Sequence, residues 1–287
     1  MSRIAYVNGR YLPHRAASVS IDDRGYQFAD GIYEVCEVAG GCLIDPTRHL
    51  DRLDRSLAEL RIAAPMGRAG FLLLMREIAR RNHVRDGLVY LQVSRGVAPR
   101  DHGFPVPPVK PALVATAHAI DPAVGEARAA RGVAVISLPD ERWARVDIKT
   151  TSLTGNVLAK QAARDAGAHE AFLVDRDGFV TEGASTNVWI VTADGALVTR
   201  PAERGILRGI TRTTLMDVAA GLQIRVIERP FTIAEAQGAA EAFLSSATQH
   251  AMPVVSIDGV AVGDGRPGPV ARRLRATFRE FAEQVAV

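Results

Sequence analysis

Apolar and polar residues alternate over residues 4–12 on either side of Asn8-Gly9. That dipeptide suits the left-handed backbone of a two-residue turn, so the stretch predicts a hairpin of two short strands. A second hairpin is predicted over 33–44, turning at Gly40-Gly41. The period then lengthens. Leu50, Leu53, Leu57 and Leu60 share one helical face and predict a helix over 47–61, and a further helix is predicted over 71–82. Strands are predicted over 88–94 and 112–120. The stretch RGVAPRDHGFPVPPVKP between them carries five prolines and reads as an ordered surface loop. Residues 121–126 are the best candidate linker. Beyond them the pattern predicts strands over 133–138, 171–174, 179–182, 188–191, 197–199, 224–228, 242–245 and 254–257. It predicts helices over 156–166 and 210–220, a short one capped by Thr232 with Glu235 three residues on, and an amphipathic closing helix over 270–285. The fold class this implies is α+β in two domains, 1–120 and 127–287. A cleft between domains is a usual place for a cofactor.

Composition narrows the function classes. At 287 residues and 47% apolar the chain has ample material for a core. The net charge is only +3 and the arginines are scattered, with no basic stripe interleaved with aromatics, so no nucleic-acid partner is expected. The longest apolar run, FLLLM at 71–75, is far too short to span a bilayer, and no membrane partner is expected. The opening MSRIAYVNGRYLP lacks the apolar core of a signal peptide. Cys36 and Cys42 read as free thiols in a reducing cytoplasm. The seven histidines are dispersed, with no HExxH or CxxC, so no metal is expected. The phosphate loop GxxxxGK[ST], the dinucleotide GxGxxG and the nucleophile elbow GxSxG are absent.

Scattered candidates remain. Lysine is scarce, three against 32 arginines, and Lys149 follows the strand-like Val146-Asp147-Ile148. It is either a solvated strand end or an amine held in a pocket, where burial beside positive groups lowers its pKa enough for Schiff-base chemistry. Glu182 ends a strand before small residues and is either a turn acid or a carboxylate for a heterocyclic nitrogen. GILRGITR at 205–212 is either an ordinary helix start or an anion site, with N–H groups of Gly209, Ile210 and Thr211 and the Thr211 hydroxyl as donors. The hydroxyl-rich stretch 245–248 is a polar loop or a further part of that site. Spacing alone does not establish that these converge.

Seven segments taken together resemble the fold-type IV, or class IV, pyridoxal-phosphate-dependent aminotransferases. They are DRGYQFADGIYEV (23–35), RHLDRL (48–53), SRGVAPRDHGFP (94–105), RWARVDIKT (142–150), GNVLAKQ (155–161), FVTEGASTNVW (179–189) and GILRGITR (205–212). Within the family the chain is most similar to the D-amino acid aminotransferases. The resemblance implies a two-domain fold with pyridoxal 5′-phosphate in the interdomain cleft and the reactive lysine in the C-terminal domain. It makes Lys149 the Schiff-base lysine and proton shuttle and Glu182 the partner of the pyridine nitrogen. Arg52, Ile210, Thr211, Ser246 and Ala247 would hold the phosphate, with Gly209 opening the helix, and Leu207 would pack on the ring. Arg100 and His102 with Tyr33 would bind the substrate α-carboxylate, the first two reaching from the neighbouring subunit of a homodimer. The implied reaction is ping-pong transfer of an amino group between a D-amino acid and a 2-oxo acid. The alternatives within the family are a branched-chain L-amino acid aminotransferase, an (R)-amine transaminase and 4-amino-4-deoxychorismate lyase. Outside catalysis, the rival is a binding protein that keeps the fold.

Overall fold

The computed structural model describes residues 3–287. Their contacts divide into two compact units, one of residues 3–122, Ile148–Ser152 and Glu283–Val287, the other of Ala123–Asp147 and Leu153–Ala282.

The first unit is an antiparallel sheet backed by helices. Its strands are β1 (Ile4–Val7), β2 (Arg10–Pro13), β3 (Gly31–Ala39), β4 (Cys42–Ile44), β5 (Gly87–Ser94) and β6 (Ala112–Ala119). The chain's last strand, Gln284–Ala286, adds to β4, giving the order last strand–β4–β3–β5–β6–β1–β2. Asn8 and Gly9 both have positive φ, +48° and +97°, as the tight turn pairing Val7 with Arg10 demands. Three helices follow the chain: α1 (Arg24–Phe28), α2 (Pro46–Glu59) and α3 (Arg68–Arg81). Strand alternation turns Ile32, Cys36 and Val38 of β3 toward Leu50, Leu53 and Leu57 of α2 and Phe71, Met75 and Ile78 of α3. Burying each such large side chain is worth about 1.5–3 kcal/mol.

Along β3, β4 pairs only with Val38 and Ala39, which leaves the start of β3 open along that edge. The segment 148–152 fills it. The Tyr33 N–H donates to the Lys149 carbonyl at 2.9 Å, the Thr151 N–H donates to the Gly31 carbonyl at 3.1 Å, and Ile148 enters the core. The lysine expected with the C-terminal domain is therefore held by β3 of the first unit.

The second unit carries α4 (Pro122–Arg131), β7 (Val133–Pro139), α5 (Thr154–Asp165), β8 (Glu170–Val174), β9 (Val180–Gly183), β10 (Asn187–Val191) and β11 (Leu197–Thr199). It continues with α6 (Ile210–Gly221), β12 (Val226–Glu228), α7 (Ile233–Gln237), β13 (Glu241–Ser246), β14 (Gln249–Ile257), β15 (Val260–Ala261) and α8 (Pro269–Phe281). The sheet is mixed, in the order β12–β11–β10–β13–β14–β7–β8–β9 with β15 against β14. β14–β7, β7–β8 and β11–β12 are its parallel pairs. Every residue of β9, β10 and β11 is buried, which is why these strands read as short apolar runs rather than alternating ones.

Two expectations change. The stretch 121–126, expected as a linker, holds the division between the units but is helical from Pro122, which heads α4, a position where its missing N–H costs nothing. The closing helix stops at Phe281, because Ala282 turns extended and Glu283 locks onto Asp45. The Asp45 N–H donates to the Glu283 carbonyl at 2.8 Å, and the Glu283 N–H donates to Asp45 Oδ1 at 2.9 Å. The chain then runs on as an edge strand. No helix among the described residues is long and apolar enough to cross a membrane.

Candidate active site

In the first unit, the Lys149 ammonium stands 4.2 Å above the centre of the Tyr33 ring. Among the described residues no hydrogen bond or ion pair engages it. A cation over an aromatic face is stabilised without a counter-ion and stays available. Tyr33 stacks on Tyr90 at 5.7 Å, and the Tyr90 hydroxyl donates to Gln92 Oε1 at 2.8 Å. Burial pushes the Tyr90 phenol up to about 12, so it remains a neutral donor.

The next inward-facing residue of β3 after Ile32 is Glu34, a carboxylate in a core row, 2% exposed. His49 and Arg52, three apart on the buried face of α2, account for it. Arg52 donates from Nε at 2.7 Å and Nη2 at 2.8 Å, and His49 Nδ1 lies 2.7 Å away. Burial alone would raise the Glu34 carboxyl, but the Arg52 charge and hydrogen bonds and the His49 contact bring it down to about 2. Arg52, expected to grip a phosphate, is thus first of all oriented by Glu34.

Arg100 and His102 sit in the proline-rich loop and are exposed. Both meet Phe28 at the end of α1. The Arg100 guanidinium lies 5.1 Å from the ring centre and the His102 ring 5.3 Å. Tyr33 meets Lys149 and Tyr90, and no hydrogen bond or ring contact among the described residues joins it to Arg100 or His102.

In the second unit Glu182 closes β9 and is 5% exposed. Arg142 ion-pairs with Glu182 Oε1 and forks onto Asp140 at 2.9 and 2.7 Å. The Thr181 hydroxyl donates to Asp140 at 2.7 Å. Asn187 Nδ2 donates to Glu182 Oε2 at 3.0 Å and to the Leu207 carbonyl at 2.9 Å, while the Leu207 N–H reaches both Glu182 oxygens at 3.2 Å. Burial pushes the Glu182 carboxyl up, and Arg142 and the Leu207 N–H work against that.

Asn187 also ties this carboxylate to the start of α6. A Cβ on Gly209 would lie 2.1 Å from Asn187 Oδ1, so only glycine fits where the helix begins. The first hydrogen bond of α6 runs from the Thr213 N–H to the Gly209 carbonyl, and Gly209 offers no side-chain cap. The N–H groups of Ile210 and Thr211 are therefore left at a positive helix end, beside the buried Thr211. Asn187 pairs across the sheet with Ser245, and Ser246-Ala247 follows at the tight β13–β14 turn.

The amino-transferase class IV family model matches residues 31–257. The chain is 39% identical to the D-alanine aminotransferase of Staphylococcus haemolyticus over 97% of each chain. It is 38% identical to that of Bacillus licheniformis over 95% of this chain and 94% of the other. Among solved structures it superposes on the T.th. branched-chain amino acid aminotransferase determined with pyridoxamine 5′-phosphate. That match has a TM-score of 0.88 and 25% identity, covering 98% and 94% of the two chains. The branched-chain enzyme of Escherichia coli, 24% identical, superposes with a TM-score of 0.89 over 98% and 94% of the two chains. The architecture is that of the fold-type IV enzymes, mixed helix and sheet in two parts. The chain belongs to the class IV aminotransferases, which depend on pyridoxal 5′-phosphate.

The donor set fits that cofactor: an amine without a counter-ion, a buried carboxylate and an uncapped helix start with a threonine. Sequence reasoning missed Arg142, Asn187, Glu34, His49, Arg24 and Asp30. All lie inside the segments that carry the family resemblance, so their positions were marked but their partners were not.

Proposed function

We propose that the protein is a D-amino acid aminotransferase, exchanging the amino group of a D-amino acid with the oxygen of a 2-oxo acid in ping-pong fashion. The near end-to-end similarity to two D-alanine aminotransferases carries this reading. When bound, pyridoxal phosphate supplies an electron-withdrawing ring that stabilises negative charge at the substrate Cα. Lys149 Nζ would hold the cofactor, and the same amine would take the substrate Cα proton and return it in the product direction. Glu182 would keep a proton on the cofactor's pyridine nitrogen, with Arg142 and Asn187 holding the carboxylate in place. Ile210 and Thr211 bind the phosphate through N–H and hydroxyl groups, supplemented by Arg52 and the Ser246-Ala247 turn. Leu207 would pack against the cofactor ring. Arg100 and His102, with Tyr33, bind the α-carboxylate and so select the enantiomer whose Cα–H faces Lys149. We place Arg100 and His102 at the neighbouring subunit's site in a homodimer, since both are exposed on the first unit and neither touches Tyr33. A cytoplasmic location agrees with two free cysteines.

The test is the visible absorbance of the purified protein. D-Alanine should bleach it and L-alanine should not, and 2-oxoglutarate should restore it. The fold similarity to branched-chain aminotransferases favours a second reading. Bleaching by L-leucine with no response to D-alanine would establish that one instead.

A further inference from the structure

Arg100 and His102 are alternate residues, and an extended backbone would send their side chains to one side while the loop tip stayed free to swing. Here both meet one phenyl ring, so the peptide between them has to be held against it. The loop cannot do this alone. Arg95 to Pro111 carries five prolines and forms no strand or helix, and exposed loops of this kind are mobile unless tied down.

The tie is buried. Arg24, the first residue of α1, is 3% exposed. Its Nη1 donates to the carbonyl of Asp101, and its Nη2 to the carbonyl of His102 at 3.4 Å. Its Nε donates to Asp30 Oδ2 at 2.8 Å, and the guanidinium sits 4.9 Å over the Phe28 ring. Asp30 is itself clamped by Arg95, from Nε at 2.7 Å and Nη2 at 2.9 Å. Arg95 in turn donates to the carbonyls of Leu60 and Arg61 just beyond α2, at 2.8 and 3.0 Å, and stacks 3.7 Å over Phe104 further along the loop. Burial would raise the Asp30 carboxyl, but hydrogen bonds from Arg95 and Arg24 hold it below its ordinary value, so the clamp stays ionised at neutral pH. The Gly103 N–H donates to Asp101 Oδ1 at 3.3 Å, which bends the chain at the point Arg24 grips. A rigid path of charge-assisted hydrogen bonds thus runs from α2 through Arg95, Asp30 and Arg24 to the carbonyls of Asp101 and His102.

We propose that Arg24, locked by Asp30 and working with Phe28, is a positioning residue for substrate recognition: it sets Arg100 and His102 in the one arrangement that receives an α-carboxylate. Arg24 does not touch the substrate. Its effect is on the affinity for carboxylates and on the ordering of the loop, and it leaves proton transfer at Lys149 alone. This rests on the reading that Arg100 and His102 bind the carboxylate.

The test compares Arg24→Met, Arg24→Lys and Arg100→Ala in the cofactor-loaded enzyme. The readouts are KM and kcat for D-alanine, and the dissociation constant of propionate, an unreactive carboxylate, from the change in visible absorbance. Losing two hydrogen bonds that hold the trap should raise both KM and the propionate constant about tenfold in Arg24→Met. The value of kcat should stay within about threefold of wild type and the starting spectrum should not change. Arg24→Lys keeps a cation against Asp30 but cannot fork onto two carbonyls, so it should fall between wild type and Arg24→Met. If Arg100→Ala raises both constants and the Arg24 variants raise neither, the positioning role is overturned and the carboxylate reading stands. If Arg100→Ala leaves both unchanged, the carboxylate reading fails and this inference with it. Should Arg24→Met fail to fold, Arg24→Lys decides, and constants equal to wild type refute the role.

Discussion

Arg142 lies between the buried Glu182 and the half-buried Asp140, and its removal shows how the Glu182 site is held together. The side chains of Asp140 and Glu182 are 12% and 6% exposed, and Arg142 itself only 5%. Arg142→Met keeps the length and packing and removes the charge. Stripping one partner from a buried ion pair costs about 3–5 kcal/mol, because the remaining charge stays desolvated and unpaired. At roughly 2–4 °C per kcal/mol for a chain of this size, the melting temperature should fall by about 10 °C. The loss should depend on pH in a known direction. Burial already raises the Glu182 carboxyl above its ordinary 4.5. A group whose folded pKa is raised takes up a proton on folding, so stability is fullest below 4.5 and declines as pH rises through the folded value. Arg142→Met should steepen that decline. Differential scanning fluorimetry across pH, run on Arg142→Met, Glu182→Gln and the double variant, measures both effects. The double variant should be more stable than the sum of the single losses predicts, by about 2 kcal/mol. Strict additivity, or a melting temperature within about 2 °C of wild type at every pH, would refute the coupling.

Glu34 should behave in the opposite sense to Glu182. Its carboxyl is brought down to about 2 from 4.5, so its contribution is complete above 4.5 and is lost as pH falls toward 2. Acid unfolding of Glu34→Gln should be shallower than that of wild type in this window by about 3 kcal/mol; parallel curves would exclude the pair as a source of acid sensitivity. Gly209→Ala drives a methyl group into Asn187 Oδ1, so the hydrogen bonds from Asn187 to Glu182 and Leu207 should break, at about 1–3 kcal/mol. Thermal stability equal to that of wild type would show that Asn187 moves without cost. Glu241 accepts from the N–H groups of Val270 and Ala271 at 2.8 and 2.9 Å and caps α8 from a neighbouring strand. Glu241→Ala should cost about 1–2 kcal/mol, read by urea unfolding, and an unchanged midpoint would count against the cap.

What the sequence made legible follows from range. The Asn8-Gly9 hairpin, the leucine face of α2 and the Thr232 cap are written in residues a few positions apart, and each formed as expected. α1 leaves no signal in the sequence because five residues carry too little periodicity. The stretch 121–126 reads as a linker because Pro122 and Gly125 punctuate it, yet α4 starts there, since proline at a helix start is harmless. The end of α8 depended on Asp45, far away in sequence, and no local signal could place it. The same holds at the site. Lys149, Glu182 and the start of α6 stood out by residue type and by family resemblance. Arg142 is 40 residues from Glu182, and Arg24 is 77 from the carbonyl of Asp101. Such partners become visible only when the chain is folded.

The insertion of 148–152 beside β3 bears on how this molecule is made. The polypeptide leaves the first unit at Pro122, returns to it for Ile148–Ser152, leaves again and comes back at Glu283. During synthesis the sheet that is begun first is therefore completed last. Until the lysine-bearing segment emerges, the start of β3 presents unpaired backbone, and until Gln284–Ala286 follows, β4 is an open edge. A nascent chain paused before the lysine segment displays two templates for strand addition, so protection by a chaperone matters most while the second unit is being translated. The same threading removes modularity. Neither unit is a contiguous stretch that can be cut out and exchanged, so Lys149 and the strand that holds it must be inherited together.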